Sequence, residues 1–212
     1  MKAPYFAVAA IIATFLTVKI AGAQIIQNGD FEMPVVSNYA EYDAPSTAIT
    51  GWTVTSGNVD LSTSSNYPAY SGNQSVDLAG DTLGTIEQQF STTPGQQYQL
   101  IFYYSNNANY IGNVTANVSV TGNSTLLDQS ISHSDATLTN MDYQLFSENF
   151  TADSVNATLA FAATSESLNG PPGAGGVVVD DVSVTAVPEP GSLSLLAMGS
   201  LALLAHRSRN AR

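Results

Sequence analysis

Between residues 20 and 206 the chain contains no lysine and no arginine. All five basic residues lie at the ends, as Lys2, Lys19, Arg207, Arg209 and Arg212, against 17 Asp and Glu and a formal net charge of -12. Whatever folds in this stretch makes no Lys or Arg salt bridge and must rest on apolar burial and neutral hydrogen bonds. Nucleic-acid binding is excluded, because neutralising phosphates needs cations. A P-loop and an arginine clamp fail for the same reason. The chain also has no cysteine, which removes a disulfide scaffold, a zinc-thiolate site and a cysteine nucleophile. With only 10% charged residues, the polar surface must come from Ser, Thr, Asn and Gln, as in extracellular β proteins.

The apolar pattern between the ends has a period of two. Alternation runs through residues 85–90, 98–104, 114–120, 156–161 and 177–184. Turn signals punctuate it at Asn28-Gly29, Ser56-Gly57-Asn58, Ser71-Gly72-Asn73, Pro94-Gly95 and Gly122-Asn123. No stretch holds a helical period over three turns. About ten short strands at this spacing predict a single all-β domain, an antiparallel sandwich or jelly roll.

Both ends read as processing signals. Lys2 precedes an apolar run from Phe6 to Val18, and Ala21-Gly22-Ala23 supplies small residues for cleavage before Gln24. This pattern predicts a signal peptide over residues 1–23, since the run is too short for the ~20 residues of a membrane span. At the other end, Pro188-Glu189-Pro190 leads into an apolar stretch and then an Arg-rich terminus. The three parts in this order resemble the PEP-CTERM sorting signal of exopolysaccharide-making Gram-negative bacteria. That resemblance implies transient insertion of a C-terminal helix in the inner membrane. It also implies processing by an exosortase, a membrane cysteine transpeptidase that recognises the Pro-Glu-Pro motif. The signal occupies residues 187–212, leaving 24–186 as the mature domain.

A second resemblance follows from an ordered series of motifs. These are Asn28-Gly29-Asp30-Phe31-Glu32, Gly51-Trp52-Thr53-Val54-Thr55, Asn58-Val59-Asp60-Leu61, Gln74-Ser75-Val76-Asp77-Leu78, Ile86-Glu87-Gln88-Gln89-Phe90, Pro94-Gly95-Gln96-Gln97-Tyr98 and Val179-Asp180-Asp181-Val182. Together they resemble the choice-of-anchor C / DUF642-type domain, a galactose-binding-like jelly roll related to carbohydrate-binding modules. The resemblance implies an antiparallel jelly-roll β-sandwich at the cell surface. It further implies a structural calcium tying first strand to last, with Asp30, Glu32, Asp180 and Asp181 at the matching positions. Calcium takes six to eight oxygen ligands and needs no His or Cys. By the alternation of strand side chains, Asp180 and Asp181 point to opposite faces, and Asp180 is the favoured ligand. The acids read equally well as a solvated, solubilising surface.

Enzymatic chemistry finds little footing. His133 is the mature segment's one imidazole, in the polar run Ser130–Asp135, and reads as an exposed loop residue. No Gly-x-Ser-x-Gly elbow exists, and a glycosidase pair chosen from so many acids would be arbitrary. Tyr67, Tyr70, Tyr103 and Tyr110 are the candidates for a sugar platform, with neighbouring Asn amides to bond hydroxyls. Packing explains the same four residues equally well, and Trp52, Tyr98, Phe102 and Tyr104 read as core. Six Asn-x-Ser/Thr sequons reflect a composition rich in those residues. The resulting expectation is an exported, non-enzymatic protein of the cell surface or extracellular matrix, associated with exopolysaccharide. The alternative is a carbohydrate-binding module for a defined glycan.

Overall fold

The computed structural model describes residues 25–170 and 174–188. The signal-peptide reading of 1–23, Glu189, Pro190 and the sorting helix lie outside these residues, while Pro188 is exposed at their edge. Eleven strands follow in order: β1 (Tyr39–Asp43), β2 (Thr53–Ser56), β3 (Asn58–Thr63), β4 (Gln74–Asp77), β5 (Thr85–Ser91), β6 (Gln97–Asn106), β7 (Val114–Thr121), β8 (Thr125–His133), β9 (Gln144–Thr151), β10 (Asn156–Ala163) and β11 (Val177–Ala186). They form two antiparallel sheets, β1-β3-β4-β11-β6-β9 and β2-β5-β10-β7-β8. The expected all-β jelly-roll sandwich is the fold. Among the described residues no helix is long and apolar enough to cross a membrane.

Alternation decides which face each strand buries. In β7, Val114, Ala116, Val118 and Val120 are buried between the sheets while the intervening residues are half-exposed. Leu159 and Phe161 of β10 and Leu100 and Phe102 of β6 meet them in the same core. Trp52 is buried as expected, tilted against Phe31 at 5.2 Å and Phe161 at 6.0 Å between ring centroids. Tyr98, Leu100 and Phe102 share the inward face of β6, and Tyr104 packs against it half-buried.

The opening motif works as a clasp. Asn28 turns the chain with φ at +50°; its amide donates to the Met33 and Thr50 carbonyls, and its side-chain oxygen accepts from the Met33 amide. Trp52 Nε1 donates to the Asn28 carbonyl. The last strand closes the clasp: a β-bulge after Asp180, with Asp181 at φ +51°, lets the Val182 amide donate to the Gly29 carbonyl. The Ile25 amide donates to Val184 in the same way. First and last segments are therefore joined by backbone hydrogen bonds.

Candidate functional site

The six-stranded sheet turns one face to the core and the other outward. Register brings Glu41, Asp60, Asp77, Val178 and Ser105 into one row across β1, β3, β4, β11 and β6. Directly opposed side chains on neighbouring strands stand about 5 Å apart at Cβ, so three carboxylates sit side by side. The β3–β4 connection folds over this face. Its Tyr67 packs with Met141 and Val178 in a second, smaller apolar cluster. Tyr67 is 3% exposed, which corrects the expectation of an open ring. The apolar patch offered by Val178 on the outer face draws the ring down.

Beside Tyr67 lies a cavity of about 450 Å³. Tyr39 and Tyr110 supply aromatic walls, Asn66 and Asn109 supply amides, and Glu41, Asp60 and Asp81 supply carboxylates. Tyr110 is held by the glycine-rich loop before β11. A Cβ at Gly175, where φ is +75°, would stand 2.3 Å from the Tyr110 ring. The ring can lie there only because that residue has no side chain.

Electrostatics set the carboxylates apart from one another. Asp77 is fully buried yet satisfied: its Oδ1 accepts from the Ala79 and Gly176 amides and its Oδ2 from the Asn107 amide. Burial pushes its carboxyl up to about 6, against the pull of those donors. Asp60 is pushed up to about 7, by burial first and then by the charges of Asp77, Glu41 and Asp81. Its Oδ1 is buried and has no hydrogen-bond partner within the protein. Glu41 is raised too, by partial desolvation and then by Asp81 and Asp43. The Tyr67 hydroxyl is the second unpartnered atom at this site. Burial and the nearby Asp77 push it well above its usual range; Ser62 eases that rise without making an aligned hydrogen bond.

The four expected tyrosines divide into two pairs. Tyr67 and Tyr110 line this cavity, whereas Tyr70 and Tyr103 stack face to face, 3.5 Å between centroids and 13° between planes. Tyr70 borders a second, shallower groove of about 440 Å³ with Tyr143 and residues 139–142. One of its ring faces is spent on Tyr103, and it meets Tyr143 in an edge contact with 5.6 Å between centroids.

The four expected calcium ligands also divide. Glu32 Oε1 accepts from the Asn73 and Gln74 amides, and Asp180 Oδ2 accepts from the Ser71 amide, so two carboxylates clamp the same turn from two sides. Asp180 is fully buried, and its carboxyl is pushed up to about 8 by burial, opposed by the Ser71 and Asp181 amides. Asp30 is exposed in the opening turn, and Asp181 is half-exposed at the bulge. Among the described residues, no three acidic or histidine side chains are grouped to hold a metal ion.

His133 is 7% exposed, so the reading of an exposed loop histidine is corrected. It ends β8 beneath the following loop, Nδ1 2.6 Å from Asn106 Oδ1 and Nε2 2.9 Å from the Asp142 carbonyl. Residues of the cavity that sequence reading left out are Tyr39, Glu41 and Asp60 in particular. The signal was present: Tyr39-Ala40-Glu41-Tyr42-Asp43 alternates as a half-buried strand, and Asp60 shares its outward face across the pair.

Residues 24–185 match the family described as "Protein of unknown function (DUF642)", and residues 186–209 match the PEP-CTERM protein-sorting motif. The chain is 33% identical over 172 residues to Halomucin of Haloquadratum walsbyi; the match takes in 78% of this chain and spans 2% of that protein's length. Among solved structures, it is similar to the carbohydrate-binding module CBM35 from Paenibacillus barcinonensis, at 20% identity and a TM-score of 0.43. That match covers 70% of this chain and 99% of the other. A family 35 carbohydrate-binding module from Clostridium thermocellum is similar at 17% identity and a TM-score of 0.42, covering 70% and 92%. With its folded segment matched from end to end, the chain belongs to the DUF642 family and carries a PEP-CTERM sorting motif behind the sandwich.

Proposed function

We propose that this protein is exported, processed at its sorting motif by an exosortase, and retained at the surface or in the exopolysaccharide matrix of a Gram-negative bacterium. There the outer-face cavity binds glycan without cleaving it. One observation carries the reading: aromatic rings, amides and carboxylates converge on a single cavity large enough for a sugar unit or two. Tyrosine faces suit the CH faces of a pyranose, while Asn66, Asn109 and Asp60 offer the donors and acceptors that hydroxyls require. Against hydroxyl-nucleophile chemistry stands His133, whose ring nitrogens are taken up by Asn106 Oδ1 and the Asp142 carbonyl. The sorting motif supports the export and surface placement.

The test is a glycan array probed with the protein and with Tyr39→Ala and Tyr110→Ala. Tyr39 is 58% exposed, so its loss spares the fold. Saturable binding that both variants abolish supports the cavity. Binding that survives both but falls in Tyr70→Ala moves the site to the second groove. No saturable binding to any glycan leaves a matrix protein without a carbohydrate ligand.

A further inference from the structure

We infer that the cavity prefers glycans bearing free amino groups, such as hexosamine units without their acetyl substituent, over neutral and anionic ones. The inference rests on the glycan reading above and adds the chemical class of ligand.

Charge gives the first argument. Residues 20–206 contain no Lys or Arg, so nothing at this cavity can pair a uronate, sulfate or phosphate. Instead Glu41, Asp60 and Asp77 lie in one cross-strand row, with Asp81 at the cavity wall. An anionic sugar would meet only repulsion here, and a cationic one would relieve it.

Unsatisfied atoms give the second. Asp60 Oδ1 and the Tyr67 hydroxyl have no partner within the protein, and Tyr67 is more than nine-tenths buried at the cavity wall. Leaving such atoms unpaired is costly, so the site gains when a donor reaches Asp60 Oδ1 and a partner reaches the Tyr67 hydroxyl. Asp60 Oδ1 wants a donor, and a hydroxyl beside it can take one from Tyr67.

Shape gives the third. A Cβ at Gly80 would stand 3.0 Å from Asn58 Oδ1, 3.0 Å from Asp60 Oδ1 and 3.1 Å from Glu41 Oε2. Three acceptor oxygens thus gather around one small space that glycine leaves open. Asn58 Oδ1 is already occupied by the Asp81 and Thr82 amides and the Thr82 hydroxyl, and the Asn58 side chain also steadies Glu41, which leaves Asp60 Oδ1 as the oxygen without a donor and Glu41 beside it. An ammonium group carries three donors and no acceptor, so it matches an acceptor-only corner better than a hydroxyl does. Tyr39 and Tyr110 add ring faces that favour a cation.

The test titrates the full chain with glucosamine tetramer, N-acetylglucosamine tetramer and a glucuronic-acid tetramer at matched ionic strength. The glucosamine tetramer should bind at least about tenfold more tightly than its acetylated form, equivalent to about 1.4 kcal/mol. The uronic-acid tetramer should not bind. Asp60→Asn and Glu41→Gln, checked for folding by circular dichroism, should each cut the preference to a few-fold while keeping Tyr110-dependent binding. Equal binding of the amine and acetylated forms overturns the amine preference and leaves the glycan reading standing. A preference undiminished in both variants assigns it to overall charge and overturns the inference as well. No binding of any tetramer, together with a blank glycan array, overturns both readings.

Discussion

Replacing Asp60 by Asn should stabilise the protein, although it changes a buried polar side chain. The Asp60 carboxyl is pushed from 3.8 up to about 7 by burial and then by Asp77, Glu41 and Asp81. An acid whose folded value lies above its unfolded value holds more protons when folded at any pH between the two. Stability therefore falls as pH rises from about 4 to about 7, and the penalty is complete above that. At about 1.4 kcal/mol for each pKa unit, a sealed group would cost about 4 kcal/mol. Asp60 is only partly buried, and solvent screening reduces the cost to about 1–2 kcal/mol. Asparagine keeps the shape and removes the charge, and Oδ1 has no hydrogen bond to lose. In a domain of this size, the melting temperature at pH 8 should rise by about 3–6 °C. At pH 4.5 the two proteins should melt within a degree or so of each other. Differential scanning calorimetry at the two pH values reads both numbers. A lower melting temperature for Asp60→Asn at pH 8, or an equal gain at both pH values, would refute the reasoning. Asp77 is the contrast: Oδ1 accepts from two backbone amides and Oδ2 from the Asn107 side chain, so Asn there would set its NH₂ group against the Asn107 NH₂ and destabilise.

Three further outcomes are expected. Glu32→Ala leaves the Asn73 and Gln74 amides without their shared acceptor and should lower stability by about 1–2 kcal/mol, read as a denaturation midpoint shift. Gly175→Ala places a methyl against Tyr110 in a left-handed backbone, so glycan binding should fall steeply while far-ultraviolet circular dichroism keeps its β signature. Surface protein from the native host should end near Pro188–Pro190; an intact mass that still includes Arg212 would contradict exosortase processing.

Much of the fold was legible because burial in this sandwich is strictly two-sided. Wherever one face is core and the other solvent, as in β7 and β10, alternation shows in the sequence, and the strands lie close to where periodicity placed them. β4 is different: Gln74, Ser75, Val76 and Asp77 are all buried, because loops cover its outer face, and no alternation survives. The cavity was half legible. Tyr110 could be picked out as an aromatic beside asparagines, but the carboxylate row could not. Glu41, Asp60 and Asp77 are remote in sequence and meet only through the β1-β3-β4 register. The burial of Tyr67 and His133 is hidden from the sequence for a related reason: each lies in a polar run whose surroundings come from distant loops.

The central claim, that the outer-face cavity receives glycan, is tested most directly by amide chemical-shift mapping during titration with the glucosamine tetramer. Saturable shifts should cluster at Glu41, Asp60, Gly80, Asp81, Tyr110 and Gly175, with Thr139–Tyr143 unchanged. Shifts confined to Thr139–Tyr143, or spread without saturation over the acidic surface, would contradict it.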